Sequence, residues 1–510
     1  MDKLELYIHL AVWIPFIAAA AICVSPRPAR EPLTYIAAIA TLAATLALLP
    51  PVLAGERPSL DVLQLVPNVG LAFHVDALGI TFALLASVLW GLVSIYNRGY
   101  VRDTHLQNQR RYYACFAASI GAATGLALAG NLLTFLLFYE LLTLATFPLV
   151  AHQEKPESLA GARRYLAYAL TGGLLLTTAV VWTWTMTGTL AFSPGGFLHG
   201  QASSGTLNGL FALFIIGCGV KAAIMPLHAW LPAAMVAPTP VSALLHAVAV
   251  VKAGVFGCLR VLSFVFGPES LNQIIGDEVL MVFCGVTIVV GSLLAMRQDH
   301  LKRRLAFSTI VHLSYIVLGA ALMTPLGTIG AIFHLVNHGL TKITLFLCAG
   351  SIHATTHVDY ISQMRGLGRR MPWTFTAFTV ATLSLIGVPG LCGFVSKLLL
   401  IRGAWEGDWL IYLGIMLGAS LFTAAYLLPV VCNGFFEKPK PSHQEHDAEH
   451  DAEHDAEHHG HGSHGDARPS IRLSLIVAAG LVVVFGLIPM AIMRQYDLAK
   501  AVASRVFGAE

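Results

Sequence analysis

Long apolar runs, separated by short segments that carry most of the charged residues, dominate the sequence. A helix needs about 20 apolar residues to cross the hydrocarbon core of a membrane. The pattern therefore predicts an all-α integral membrane protein with about fourteen transmembrane helices. The predicted spans are 6–24, 32–54, 72–96, 112–130, 131–151, 164–188, 206–236, 239–262, 272–296, 305–325, 327–351, 373–404, 408–432 and 471–491.

Two of these spans, 206–236 and 373–404, are too long for simple helices and contain glycine and proline. Pro226 interrupts the first span and Pro389 interrupts the second. Interrupted helices at corresponding positions in two halves of a chain indicate an ion or substrate site. The sequence therefore predicts two broken helices that have a functional role.

Composition and charge agree with a membrane protein. The chain has 510 residues, of which 56% are hydrophobic and 12% are charged, whereas a soluble domain is about a quarter charged. A net charge of +3 is too small to suggest a nucleic-acid partner. Lysine and arginine concentrate in the loops that follow odd-numbered spans, so the positive-inside rule places both termini on the outer side. We expect a multi-pass protein of the bacterial cytoplasmic (inner) membrane.

Ionisable side chains inside the predicted spans are the candidate functional residues. A charge at bilayer depth costs about 3 kcal/mol or more, so such residues are rare and are functional by default. The candidates are Glu140, Lys221, His246, Lys252, His334, His338, Lys342 and Lys397, with His312 as a candidate cytoplasmic entry point.

The spacing of these residues indicates proton transfer. His334, His338 and Lys342 are four residues apart and share one helix face. Imidazole accepts a proton on one nitrogen and donates from the other, as a relay requires. A contact between Glu140 and Lys221 would hold both groups ionised, and its opening would release a proton, although the sequence does not show that they touch.

His246 and Lys252 are less clearly related. They are six residues apart and do not share one helix face closely. Lys252 is in the middle of its predicted span, which argues against a lysine that extends to the membrane surface. Both side chains remain candidates for a central hydrated path.

The segment 442–465 differs from the rest of the chain because it is rich in histidine and acidic residues. Three His-Asp-Ala-Glu repeats begin at His446, His450 and His454. On a helix this period would place the histidines on one face, where they could bind a metal. We favour the alternative, a solvated cytoplasmic linker over residues 433–470. The eight cysteines form no CxxC pair, and we expect no cofactor in this chain.

Several motifs together resemble the antiporter-like subunits shared by Mrp-type cation/proton antiporters, respiratory complex I and membrane-bound hydrogenases. The resemblance extends over nearly the whole chain. Its motifs are Pro226–Pro232 (PLHAWLP), Ala237–Ala247 (APTPVSALLHA), Leu301–Ser308 (LKRRLAFS), His334–His338 (HLVNH) and Gly393–Lys397 (GFVSK).

The resemblance implies fourteen helices with two inverted five-helix repeats. The implied divisions are N-terminal helices over 1–111, the first repeat over 112–262, the second over 272–432, and a last helix over 471–510. It also implies a proton path through the candidate residues, the bilayer as environment and other membrane subunits as partners. Protons, and sodium or another monovalent cation, are the implied ions.

Three functions are consistent with this resemblance. The first is a component of a multi-subunit cation/proton antiporter, because Met364–Trp373 looks like the D-type Mrp protein, although the stretch with His246 and Lys252 looks closer to the A-type Mrp protein. The second is a proton-pumping subunit of a redox complex, namely an NADH–quinone oxidoreductase or a membrane hydrogenase. The third is a membrane partner in proton-driven inorganic-carbon uptake. The chain has no redox or hydrolytic motif of its own, so the sequence leaves open whether it acts within an enzyme.

Overall fold

The structure is a computed structural model, and it describes residues 2–66, 69–438, 465–489 and 494–508. The repeats that begin at His446, His450 and His454 lie outside the described residues, so both interpretations of this segment stay predictions.

Helices make up most of the described chain, and one short hairpin accompanies them. The two antiparallel strands are β1 (Ser59–Val66) and β2 (Val69–His74). The helices are α1 (Lys3–Val24), α2 (Arg30–Ala47), α3 (Leu49–Leu53), α4 (Ala77–Asp103), α5 (Gln109–Ala127), α6 (Leu132–Val150), α7 (Pro156–Thr187), α8 (Ser204–Ala222), α9 (Trp230–Ala233), α10 (Thr239–Ala247), α11 (Val250–Arg260), α12 (Gly267–Leu271), α13 (Gly276–Met296), α14 (Leu301–Ala321), α15 (Pro325–Thr356), α16 (Leu367–Arg370), α17 (Pro372–Ile386), α18 (Cys392–Glu406), α19 (Leu410–Phe436), α20 (Pro469–Leu487) and α21 (Gln495–Phe507).

The predicted fold class is confirmed. Across the described ranges, twelve helical segments are long and apolar enough to cross a membrane. Helix α5 and the pair α17 and α18, which we also predicted as spans, fall outside that set, and α17 is an apolar helix of only 15 residues. The total of fourteen spans and the division into two inverted repeats stay predictions.

Both predicted helix breaks are present. Helix α8 ends at Ala222, and Ala223 follows with a left-handed φ of 56°. The indole nitrogen of Trp230 donates to the carbonyl oxygen of Val220 at 2.7 Å, so this carbonyl in the last turn of α8 has a side-chain donor from beyond the break. The second break lies between α17 and α18, where Gly387 has a φ of 101° that glycine adopts without strain.

A third interruption was not predicted. The predicted span 239–262 is divided into α10 and α11 at Val248 and Ala249, whose backbone angles are not helical. Helix α11 packs closely against the end of α8, because a Cβ atom on Gly254 would lie 2.2 Å from the backbone nitrogen of Ala222. The interruption therefore lies beside the break that follows α8.

This close contact gives a stability prediction. We expect Gly254→Ala to destabilise the protein by about 1–3 kcal/mol, because the added methyl group would meet backbone atoms that cannot easily move. Gly414→Ala is the matched control, since a Cβ at Gly414 has open space around it. Thermal unfolding in detergent should separate the two variants, and equal stability would contradict the packing described.

The N-terminal part and the C-terminus also differ from the prediction. The predicted third span starts at residue 72, but β2 continues to His74 and α4 begins at Ala77. Asp76 caps α4, accepting a hydrogen bond from the backbone nitrogen of Gly79 at 2.7 Å. Helix α21, which the sequence did not predict as a separate element, packs against α4 and α15.

Asp76 also forms an ion pair with the buried Arg260. Both terminal nitrogens of the Arg260 guanidinium donate to its carboxylate. Arg260 is 2% exposed, and the rings of Phe192, Phe256 and Phe264 surround its guanidinium with centroids 4.6–5.1 Å away. The pair joins the start of α4 to the end of α11.

Candidate functional site

Lys221 lies in the last turn of α8, directly before the first helix break. It is fully buried, and its ammonium group donates to the carbonyl oxygen of Tyr139 on α6. The same nitrogen is 3.3 Å from the centroid of the Tyr139 ring. A cation is stabilised at this position because the carbonyl end of a helix carries partial negative charge. The break after α8 therefore holds a buried lysine without a carboxylate in direct contact.

Glu140, the next residue on α6, faces helix α7. A Cβ atom on Gly173 would lie 2.2 Å from its Oε1 atom, so the glycine makes room for the carboxylate. Oε1 is buried and has no hydrogen-bond partner among the described residues. The seven ion pairs found in the described part of the chain do not include Glu140 with Lys221. Glu140 and Lys221 lie near each other, but they do not form an ion pair.

Lys252 connects two helices at the centre of the protein. It is fully buried in α11, which rules out extension to the membrane surface. Its ammonium nitrogen lies 2.9 Å from Nδ1 of His338 and donates to the carbonyl oxygen of Leu335, also at 2.9 Å. The third interruption thus places a lysine against the predicted relay helix α15.

Three histidines form a stacked cluster beside this lysine. The His312 ring stacks on His338 with centroids 5.4 Å apart, and its Nδ1 is 3.1 Å from Nε2 of His334. Nδ1 of His334 is in turn 2.9 Å from the hydroxyl oxygen of Ser396. His312 lies in the middle of α14 and is fully buried, rather than near a helix end. Its role as an entry point stays a prediction.

Lys397 lies next to Ser396 and bridges the second break. Its ammonium group donates to the carbonyl oxygen of Ile386 at 3.0 Å and to the hydroxyl of Ser420 at 2.9 Å. Ile386 is the last residue of α17. Lys397 therefore caps the carbonyl end of a half-helix, much as Lys221 lies at the carbonyl end of α8.

Two further candidates lie near the cluster but outside its hydrogen-bond chain. Lys342 donates to the carbonyl oxygen of Leu305 at 3.1 Å and to the Ser308 hydroxyl at 2.8 Å. It shares a face of α15 with the relay histidines as predicted, but it bonds to α14. His246 stacks on the Phe346 ring with centroids 4.5 Å apart, and neither of its nitrogens has a hydrogen-bond partner in the described chain.

Sequence reasoning missed the neutral groups of this site. The hydroxyl of Ser396 contacts Nδ1 of His334, and Ser396 directly precedes Lys397 in the chain. The carbonyl oxygen of Tyr139 accepts a hydrogen bond from the ammonium group of Lys221. Ser308 receives hydrogen bonds from Lys342 and from Tyr426. Hydroxyl groups in apolar helices are common and usually bond to their own backbone. For Ser396 and Tyr139, the only signal in the sequence was that each is adjacent to a charged residue.

Fold and site together define a multi-pass membrane protein with a buried row of lysines, histidines and one glutamate. The transmembrane family described as NADH:quinone oxidoreductase/Mrp antiporter matches residues 129–423. This range contains every candidate path residue. The chain belongs to this family.

Known proteins of two kinds are similar to the chain. The A/B component of a probable K(+)/H(+) antiporter of Rhizobium meliloti is 33% identical over 386 residues, which are 73% of this chain and 38% of that protein. The chain thus matches well under half the length of this relative. The N component of the NADH-quinone oxidoreductase of Desulforudis audaxviator is 31% identical over 85% of this chain and 87% of its own length.

A solved structure shows the same fold. In the structure of the Mrp complex from Dietzia sp. DQ12-45-1b, one chain superposes with a TM-score of 0.84 at 21% sequence identity, and the match covers 98% of each chain. At this identity the likeness establishes the fold alone. Buried lysines and histidines in such a fold fit a proton-translocating subunit.

Proposed function

We propose that the chain is the proton-translocating subunit of a multi-subunit cation/proton antiporter in the cytoplasmic membrane. The observation that carries the proposal is the contact of Lys252 with His338. It joins an exchangeable ammonium group to a cluster of three histidines, and one of these, His334, contacts the Ser396 hydroxyl. Lys397 is the next residue in the chain. A structural scaffold has no need for such a row, since each buried ionisable group is costly in a membrane.

Proton movement along this row follows from the chemistry of its members. A lysine that loses its proton to a neighbouring imidazole becomes neutral, and the imidazole can pass the proton on from its other nitrogen. The Nε2 atoms of His338 and His312 are buried without a partner in the described chain. A water molecule or a ring rotation would complete the step between these stacked rings.

The C-terminal ends of α8 and α17, at the two helix breaks, support the exchange of protons for a cation. Lys397 donates to the carbonyl oxygen of Ile386 at the second break, whereas Lys221 lies at the C-terminal end of α8 and donates to Tyr139 in α6. Free carbonyls and helix C-terminal ends also coordinate monovalent cations in transporters with broken helices. We infer that sodium or another monovalent cation is moved in exchange for protons, with partner subunits that complete the complex.

A second function is favoured by one comparison. The relative named as part of an NADH-quinone oxidoreductase is matched over 87% of its length, whereas the antiporter relative is matched over 38%. The alternative is therefore a proton-pumping subunit of a redox complex. Both functions use the same row of buried residues, and they differ in the partner subunits.

One experiment separates the two functions. The native complex is purified in mild detergent, and its co-purifying chains are identified by mass spectrometry. Small membrane subunits without cofactors would support the antiporter. Iron–sulfur, flavin or nickel subunits would assign the chain to a redox pump and overturn our first choice.

Transport by the purified complex tests the proton path. In proteoliposomes that contain a pH-sensitive dye, we expect a cation gradient to drive proton flux, and we expect Lys221→Ala and Glu140→Ala to lower it at least about tenfold. Lys438→Ala, at an exposed position, is the control. Unchanged flux in both path variants would contradict the path through the first half of the chain.

A further inference from the structure

A strongly basic pocket lies at the edge of the bundle, apart from the proton path. It has a volume of about 390 Å³ and lies between the start of α2 and the turn that joins α4 to α5. Its lining residues are Arg27, Arg30, Leu106, Gln107, Asn108, Gln109 and Arg110. Three arginines and three amide side chains line it, and none of the lining residues is acidic.

The arginines are only weakly used within the protein. The Nε atom of Arg27 donates to the side-chain oxygen of Gln109 over 3.4 Å, and the Nε atom of Arg30 is buried without a partner in the described chain. The nearby carboxylate of Glu31 is instead 3.6 Å from Arg102. A guanidinium group binds phosphate oxygens through two parallel hydrogen bonds, so this group of donors suits a phosphate.

An exposed apolar residue lies three positions before the first arginine of the pocket. Val24, at the end of α1, is 85% exposed. In a membrane protein such a surface faces lipid tails. Arg27 and Arg30 follow α1 directly, so the pocket lies where the chain leaves this apolar span.

We propose that this pocket binds the phosphate headgroup of an anionic phospholipid of the surrounding bilayer. The positive-inside pattern places this pocket on the cytoplasmic side. Basic pockets between membrane helices on that side bind anionic headgroups. The site is independent of the proposed transport function, because none of its residues belongs to the proton path.

Lipid binding by the purified full-length chain tests the proposal. Native mass spectrometry measures the binding of phosphatidylglycerol, phosphatidylcholine and inorganic phosphate to each variant. We expect the triple variant Arg27→Gln, Arg30→Gln, Arg110→Gln to bind phosphatidylglycerol at least about tenfold more weakly, with phosphatidylcholine unaffected. The control is Arg163→Gln, Arg164→Gln, Arg370→Gln, which removes the same charge from exposed positions.

Each possible outcome supports or contradicts the binding of an anionic lipid in this pocket. Equal loss in both triple variants would mean that only net charge matters and would overturn the site. Inorganic phosphate binding as tightly as phosphatidylglycerol would overturn the lipid as the ligand. Retained lipid with loss of a partner subunit from the native complex would make the pocket a protein contact. If the triple variant does not fold, the exposed single variant Arg110→Gln should still bind phosphatidylglycerol several-fold more weakly, and unchanged binding would contradict the proposal.

Discussion

Replacement of Lys252 by methionine should reduce proton flux by about a hundredfold or more, because positioned proton donors and acceptors contribute at this scale. Lys252 is the residue that joins α11 to the histidines through His338. Methionine fills a similar volume but carries no exchangeable proton. The measurement is cation-driven proton flux of the reconstituted complex.

A second substitution at this position separates charge from proton exchange. Arginine retains the positive charge and the hydrogen-bond donors, but it does not release its proton in proteins. We therefore expect Lys252→Arg to be as inactive as Lys252→Met. Lys500→Met, at an exposed position of α21, is the control. Normal flux in Lys252→Arg would show that this residue supplies only a fixed charge, which would contradict its place in the relay.

Replacement of Arg260 by methionine should destabilise the protein by about 2–3 kcal/mol, because the partly buried Asp76 carboxylate loses both guanidinium hydrogen bonds. The carboxylate of Asp76 would remain at the start of α4 with its partner removed. Arg163→Met, at an exposed position, is the control and should change stability little.

The chain provides its own reporter for this measurement. Cys218, Cys258, Cys284, Cys348 and Cys392 are buried, so a thiol-reactive dye labels them as the protein unfolds on heating. The double variant Arg260→Met, Asp76→Asn should recover part of the lost stability, because asparagine keeps the helix cap and removes the unpaired charge. A double variant as unstable as the single variant would show that the loss comes from packing against the aromatic rings.

The sequence predicted those features that depend on the residue type at a single position. Pro226 and Pro389 marked the two helix breaks because proline cannot continue a helix without loss of a hydrogen bond. Buried lysines and histidines could be identified because each stands out in an apolar segment. The order of these residues on α15 also followed from helical periodicity.

Features that depend on packing between distant segments were not predictable in this way. The interruption at Val248 and Ala249 contains neither glycine nor proline, and it lies where α11 packs against the end of α8. The contact between Lys252 and His338 joins residues 86 positions apart. Likewise, the apolar strand β2 runs almost directly into α4, so hydropathy alone did not separate them.

The stacked histidines limit how many protons this part of the protein holds at once. The rings of His312, His334 and His338 have centroids 5.3, 5.4 and 5.8 Å apart, and no acidic side chain bonds to them within the described chain. Two positive charges at such a separation repel each other by about 3 kcal/mol at an effective dielectric constant near 20. A second proton is therefore disfavoured by about a hundredfold until the first has left. On the proposed path, protons would therefore cross the cluster one at a time, and the rate would depend on how quickly each proton leaves it.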